Sequence, residues 1–130
     1  MIFVDASALI VIITGEDEAD RLADALGVDQ ERLCSALSLW ETTAGLCRSY
    51  TFSVATARAR VQQFLDVGRF RIVEIGEKEA EIATDAYAQF GKGRHAAALN
   101  MGDCFAYACA KSNRAKLLYI GDDFTKTDLA

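Results

Sequence analysis

The 130-residue sequence contains no proline. That excludes a proline-rich spacer or recognition segment, and no serine-rich stretch or internal repeat takes its place, so nothing marks a domain boundary. Residues 1–130 read as a single domain. Histidine is nearly absent as well, His95 being the only one. Cys34, Cys47, Cys104 and Cys109 form no CxxC pair and have no histidine partners at zinc spacing. A chain that is 52% hydrophobic can build its own core, so a disulfide framework is not expected and the cysteines should be reduced. Long apolar runs are also missing. The longest, Ala8 to Ile13, is far too short to cross a bilayer. The N-terminus lacks a basic region and Asp5 interrupts its apolar start, which argues against a secretory signal. The expected setting is the cytoplasm, with no membrane contact. Positive charge is the last deficit: a net charge of -5 is the opposite of the basic face that a nucleic-acid binder usually carries.

What is present alternates short apolar runs with amphipathic stretches. Met1 to Asp5 ends in an acid and reads as a first strand, and Ser7 to Thr14 begins a helix. Glu16 to Leu26 places Ala19, Leu22, Ala23 and Leu26 at helical spacing, with Gly27 positioned to stop it. Arg32 to Cys34 is a poor strand candidate. Ser35 or Ser38 is placed to cap a helix through Trp40, Leu46 and Tyr50. Ser53 to Val67 repeats the helical period and Gly68 ends it. Phe70 to Ile75 alternates as a strand, and Glu77 to Phe90 is helical. Gly102 to Ser112 is another helix, and Lys116 to Ile120 reads as a buried strand. Strands separated by helices predict an α/β fold with a mainly parallel sheet covered on both faces. In such sheets ligands bind beyond the carboxyl ends of the strands. Asp5 closes the first strand there, and Asp122 and Asp123 follow the last.

Each acid also has a local explanation. Asp5 suits a helix N-cap. Glu41 suits a solvated helix surface. Asp103 suits a first helical turn, where the dipole favours a carboxylate. Asp122 and Asp123 suit a turn after Gly121. Their joint occurrence is what points to chemistry. Mg²⁺ takes carboxylate oxygens and water, and phosphodiester hydrolysis uses such an ion to activate water and stabilise the leaving oxygen. Gathered without a cation, the same carboxylates would repel one another.

Four segments carry a resemblance: Ile2-Phe3-Val4-Asp5-Ala6-Ser7-Ala8-Leu9, Trp40-Glu41, Gly102-Asp103-Cys104-Phe105-Ala106-Tyr107, and Leu117-Leu118-Tyr119-Ile120-Gly121-Asp122-Asp123-Phe124. In order and spacing they resemble the PIN-domain family, and more closely its VapC-type toxins. The stretch Gly91 to Asp103 and the ending Asp123 to Asp128 look like one subgroup of those toxins. The resemblance implies a three-layer α/β/α fold, Mg²⁺ or Mn²⁺ as cofactor, and endonucleolytic cleavage of RNA. It implies a homodimer blocked by a cognate VapB-type antitoxin. It assigns catalytic roles to Asp5, Glu41, Asp103 and Asp123, with Asp5 and Asp103 as metal ligands and Ser7, the small hydroxyl near the first acid, as a substrate-binding residue.

There are two departures. The family commonly places Thr directly after the first acid, where this chain has Ala6. Its last acids often read Asp-x-Asp-Phe, and here the earlier position is Gly121. Alignment on Phe124 favours Asp123 over Asp122, and Asp128 either supports the site or is a solvated terminal residue. The acidic balance then has a local meaning. Setting aside the four site acids leaves a net charge of -1, and two divalent ions among them would add four positive charges.

The segment Gly91-Lys92-Gly93-Arg94-His95 offers cations for RNA phosphates through Lys92 and Arg94, and equally suits a helix C-terminus. Trp40, Leu46, Tyr50 and Phe52 lie where an antitoxin tail would pack, or belong to the core. Other phosphate chemistries fit less well. A haloacid-dehalogenase phosphatase needs an acid where Ser7 stands, a receiver domain needs one that Phe70 to Ile75 does not supply, and Gly91-Lys92-Gly93-Arg94 is not a P-loop. The competing reading is a catalytically inactive PIN-like module that binds RNA or protein.

Overall fold

The computed structural model describes all 130 residues. Four strands, β1 (Ile2–Val4), β2 (Arg32–Ser35), β3 (Arg71–Val73) and β4 (Lys116–Leu118), form one sheet in the order β3-β2-β1-β4, all parallel. Six helices connect them: α1 (Ala6–Thr14), α2 (Ala19–Val28), α3 (Ala36–Tyr50), α4 (Val54–Gly68), α5 (Glu77–Phe90) and α6 (Met101–Ser112).

The strand period of two sorts the core into layers. Ile2 and Val4 face the side that packs with Leu9 and Val11 of α1 and Leu22 and Leu26 of α2. Cys34 faces the same side, against Leu46 of α3 and Val61 and Leu65 of α4. Phe3, Leu33 and Val73 point the other way, into the cluster built on Ala83, Ala86 and Phe90 of α5 and the buried stripe of α6. The result is the expected α/β/α sandwich. All four cysteines are free, and no helix is long and apolar enough to cross a membrane.

Several expectations need correction. Arg32 to Cys34, a poor strand candidate by sequence, lies in β2, a central strand paired with both β1 and β3. Its four residues lack β-branching, but Leu33 and Cys34 are fully buried on opposite faces, and this tertiary packing overrides weak local preference. Arg32 closes the layer by donating to Leu26 O (3.0 Å) and Gly68 O (2.8 Å), carbonyls in the last turns of α2 and α4. Helix α2 runs through Gly27 to Val28, and Arg69, at φ 53°, makes the turn after α4. Strands β3 and β4 are shorter than their apolar runs. Both serines proposed as caps act at α3. Ser35 is the N-cap, and Ser38 returns its hydroxyl to the Ser35 N–H at 2.8 Å.

Candidate active site

The site lies beyond the carboxyl ends of β1 and β4. Asp5 leaves β1 and caps α1, its carboxylate accepting from the Ser7 N–H (3.1 Å) and the Ser7 hydroxyl (2.6 Å). The same hydroxyl accepts from Ile120 N–H at 3.1 Å, and Asp5 N–H donates to Leu118 O at 2.9 Å. Asp5 is thereby tied to the chain leaving β4. Ser7 uses its only proton on Asp5, so its geometry is that of a residue positioning the carboxylate.

Asp103 is the third residue of α6. It forms a reciprocal cap with Asn100: Asp103 N–H donates to Asn100 Oδ1 (2.9 Å), and Asn100 N–H donates to Asp103 Oδ2 (3.1 Å). Glu41, on α3, reaches across to the start of α6. A Cβ on Gly102 would overlap its carboxylate. Asp123, in the exposed bend after β4, acts electrostatically on Asp5 and Asp103. Asp122 lines a separate depression with Glu18 and Arg21.

The electrostatics record this crowding. Burial raises Asp5, more than its hydrogen bonds from Ser7 offset, and the charge of Asp123 adds to the rise. Burial and then the charge of Asp5 raise Glu41. Burial raises Asp103 most, to about 7; the Asn100 N–H opposes this, while Asp123 and Asp5 add to it. A carboxyl that keeps its proton to neutrality is one that a cation would ionise. No group of three or more Asp, Glu, His or Cys side chains is arranged to hold an ion alone. The donor set is entirely hard oxygen, so the residues present fit a divalent cation.

Other candidates lie outside this cluster. Lys92 lines a cavity of about 480 Å³ between α5 and α6, a space that none of the four acids borders. Arg94 lies over the Tyr87 ring at 5.1 Å. His95 accepts from Ala97 N–H through Nδ1 (3.0 Å) and sets its ring edge-on to Phe90, which gives it a turn-forming role. Asp128 accepts from the Tyr107 hydroxyl (2.7 Å) and from Lys111. Burial alone would raise its carboxyl, but these bonds outweigh it and hold the group below its usual range. It anchors the C-terminal segment to α6. Of the four residues considered for a partner tail, Leu46 is buried and Tyr50 and Phe52 pack against the same core, leaving Trp40 exposed.

Two residues that shape the site had no role of their own in the sequence reading: Asn100, and Gly102, which stood there only as the first residue of a motif and of a helix. The Asn-x-x-Asp spacing of a reciprocal cap was the available signal for the first. For the second it was a glycine inside a helix with no turn to make.

The PIN domain family matches residues 2–129. The chain belongs to the PIN-domain family. Within it the resemblance is to the VapC type. VapC ribonuclease Mb0640 of Mycobacterium bovis is 37% identical over 127 residues, covering 98% of this chain and 95% of that protein. VapC ribonuclease R02377 of Rhizobium meliloti is 36% identical over 141 residues, covering 99% of both. Among solved structures, Mycobacterium tuberculosis VapC20, a sarcin-ricin-loop-cleaving toxin, aligns with a TM-score of 0.77 at 16% identity, over 100% of this chain and 97% of that one. A toxin-antitoxin complex from Klebsiella pneumoniae aligns at 0.74 and 19%, over 98% and 93%. At those identities the two structures speak for the PIN fold, which this chain shares.

Proposed function

We propose that this PIN domain is a metal-dependent endoribonuclease toxin that hydrolyses RNA phosphodiester bonds and is silenced by a cognate VapB-type antitoxin. The observation that carries the reading is that the fold gathers Asp5 at the end of β1, Glu41 on α3, Asp103 in the first turn of α6 and Asp123 after β4: Asp103 feels the charges of Asp123 and Asp5, Asp5 that of Asp123, Glu41 that of Asp5, and the Glu41 carboxylate abuts Gly102 beside Asp103. Near-full-length relatives named as ribonucleases support it.

Asp5 and Asp103 are the proposed ligands of Mg²⁺ or Mn²⁺, because both are held rigidly at helix N-termini. A bound divalent ion supplies an activated water and neutralises charge on the phosphate as it is attacked. The protein's part is orientation and proton handling. Ser7 fixes the Asp5 carboxylate, and Asn100 fixes that of Asp103. Glu41, whose carboxyl burial raises and which lies beside the first turn of α6, is the proposed base for the attacking water. Asp123 completes the negative face at its open side. Lys92 and Arg94 remain proposed phosphate contacts. A homodimer, with the antitoxin's extended tail entering the acidic groove, completes the proposed assembly.

The test is a digest of total cellular RNA by the purified chain with Mg²⁺, Mn²⁺ or EDTA, followed by end mapping. Discrete new ends that need a divalent ion and vanish in Asp103→Asn are expected. Intact RNA under both metals would leave the non-cutting PIN module as the correct reading.

A further inference from the structure

The cavity between α5 and α6 has no role in the chemistry above. Its volume of about 480 Å³ falls within the range of roughly 300–1,000 Å³ typical of small-molecule sites. Its walls are mainly apolar, with Tyr87 and Phe105 as aromatic members and Met101 at the mouth, 66% exposed. One cation, Lys92, lines it, and Arg94 is stacked over Tyr87 at its edge. No acid borders it, in a chain whose net charge is -5.

The cavity is joined to the acidic site through α6. Asn100 and Met101 line it, and Asp103 follows on the same first turn. Asn100 commits Oδ1 to the cap, so its amide NH₂ is a donor without a protein partner. Gly91 precedes Lys92 where the chain leaves α5. A Cβ there would overlap the Tyr87 carbonyl and stand 2.6 Å from the ring atom Cδ1. Only glycine lets the chain fold back to bring Lys92 beside Tyr87.

Aromatic and thioether surface, one free amide donor and flanking cations are the chemistry that receives a nucleotide, its base in the apolar space and its phosphate at the rim. Resting on the ribonuclease reading, we infer that this cavity holds one unstacked nucleobase of the RNA strand next to the phosphate being cut. Lys92 and Arg94 meet that nucleotide's phosphate, and Asn100 donates to an acceptor on the base edge. Sequence preference then arises here, since the four acids contact only backbone.

Thr84 gives a direct test. It is exposed on α5 at the cavity wall, and its hydroxyl bonds only back to Ala80 O. Thr84→Trp fills the space from outside the core. Binding is measured in EDTA, so that no hydrolysis runs, with a short fluorescent single-stranded RNA and with the same ribose-phosphate chain lacking bases. Thr84→Trp should weaken the base-bearing strand by roughly tenfold, the order of one lost base stack. It should leave the abasic strand unchanged. Lys92→Ala should weaken both strands, with a shallower salt slope. If Thr84→Trp does not fold, as judged by its melting transition, Met101→Ala carries the same comparison at an exposed position. Equal loss on both strands, or none on either, overturns the nucleobase site. So does a changed oligomeric state with unchanged RNA affinity, which would assign this face to a second copy of the chain. Metal-dependent RNA cutting by the parent, measured separately, decides the ribonuclease reading on its own.

Discussion

Gly102 stands at the second position of α6, where helix geometry does not ask for glycine. An alanine there would gain about 1 kcal/mol of helix propensity. Against this, its Cβ meets the carboxylate of Glu41, the far end of a flexible side chain that can swing away at little cost. Gly102→Ala should therefore melt within a few degrees of the parent while Glu41 leaves its place. Misplacing a catalytic group by about an ångström costs on the order of 10²-fold. The expected outcome is a nuclease rate reduced by about that factor, close to that of Glu41→Gln, with unchanged thermal stability. Parental activity in Gly102→Ala would mean that the position of Glu41 does not matter. The places of Asp5, Asp103 and Asp123 were legible because they stand in motifs at a strand end, a helix start and a turn, whereas Glu41 lies within α3 and drew notice through the Trp40-Glu41 resemblance. The reason Gly102 is small was not legible, because it lies on another helix, 61 residues away in sequence.

The N-terminus of α6 serves as both scaffold and site, and the two can be separated. Asn100→Ala deletes the oxygen that accepts from Asp103 N–H and should cost about 1 kcal/mol in chemical denaturation, as cap losses do. Asp103→Asn keeps an oxygen able to accept from Asn100 N–H but removes the charge that Asp123 and Asp5 oppose. It should abolish cutting without loss of stability. If Asp103→Asn instead destabilises as much as Asn100→Ala, the carboxylate is a structural cap first. At this scale the helices were readable, since their apolar positions recur at a period the sequence displays. Strand β2 was not, because three or four residues carry too little pattern, and only pairing on both sides with β1 and β3 makes them a strand. The segment after α5 was half legible. Its cations read as a helix end or a phosphate contact, and their actual neighbours, Tyr87 and the cavity, depend on how α5 packs on α6.

For the molecule as a whole, the strand order β3-β2-β1-β4 places the end of β1 beside the end of β4, so that Asp5 and Asp123 meet although far apart in sequence. The fold thus concentrates negative charge at one edge and holds some of it protonated, and this sets a pH dependence. Burial and the neighbouring acids push the Asp103 carboxyl up to about 7 in the folded chain, from an ordinary value of 3.8. Between those values the folded state binds more protons, so stability falls as pH rises through that window and levels above it. Asp5 and Glu41, also raised by burial, act in the same direction. Asp128, Asp29 and Glu79 act oppositely. Their depressed values contribute stability that is present above the ordinary carboxylate range and lost on acidification below it. Metal-free protein should therefore lose melting temperature between about pH 5 and about pH 7.5, and Asp103→Asn should flatten that decline. A divalent ion binds the ionised cluster and must displace the proton at low pH. Millimolar Mg²⁺ should accordingly raise the melting temperature more at about pH 8 than at about pH 5. Calorimetry of parent and Asp103→Asn, with Mg²⁺ and with EDTA, checks both statements. The same decline in Asp103→Asn would move the titration to another group, and a metal effect that ignores pH would remove the carboxylate cluster as its site.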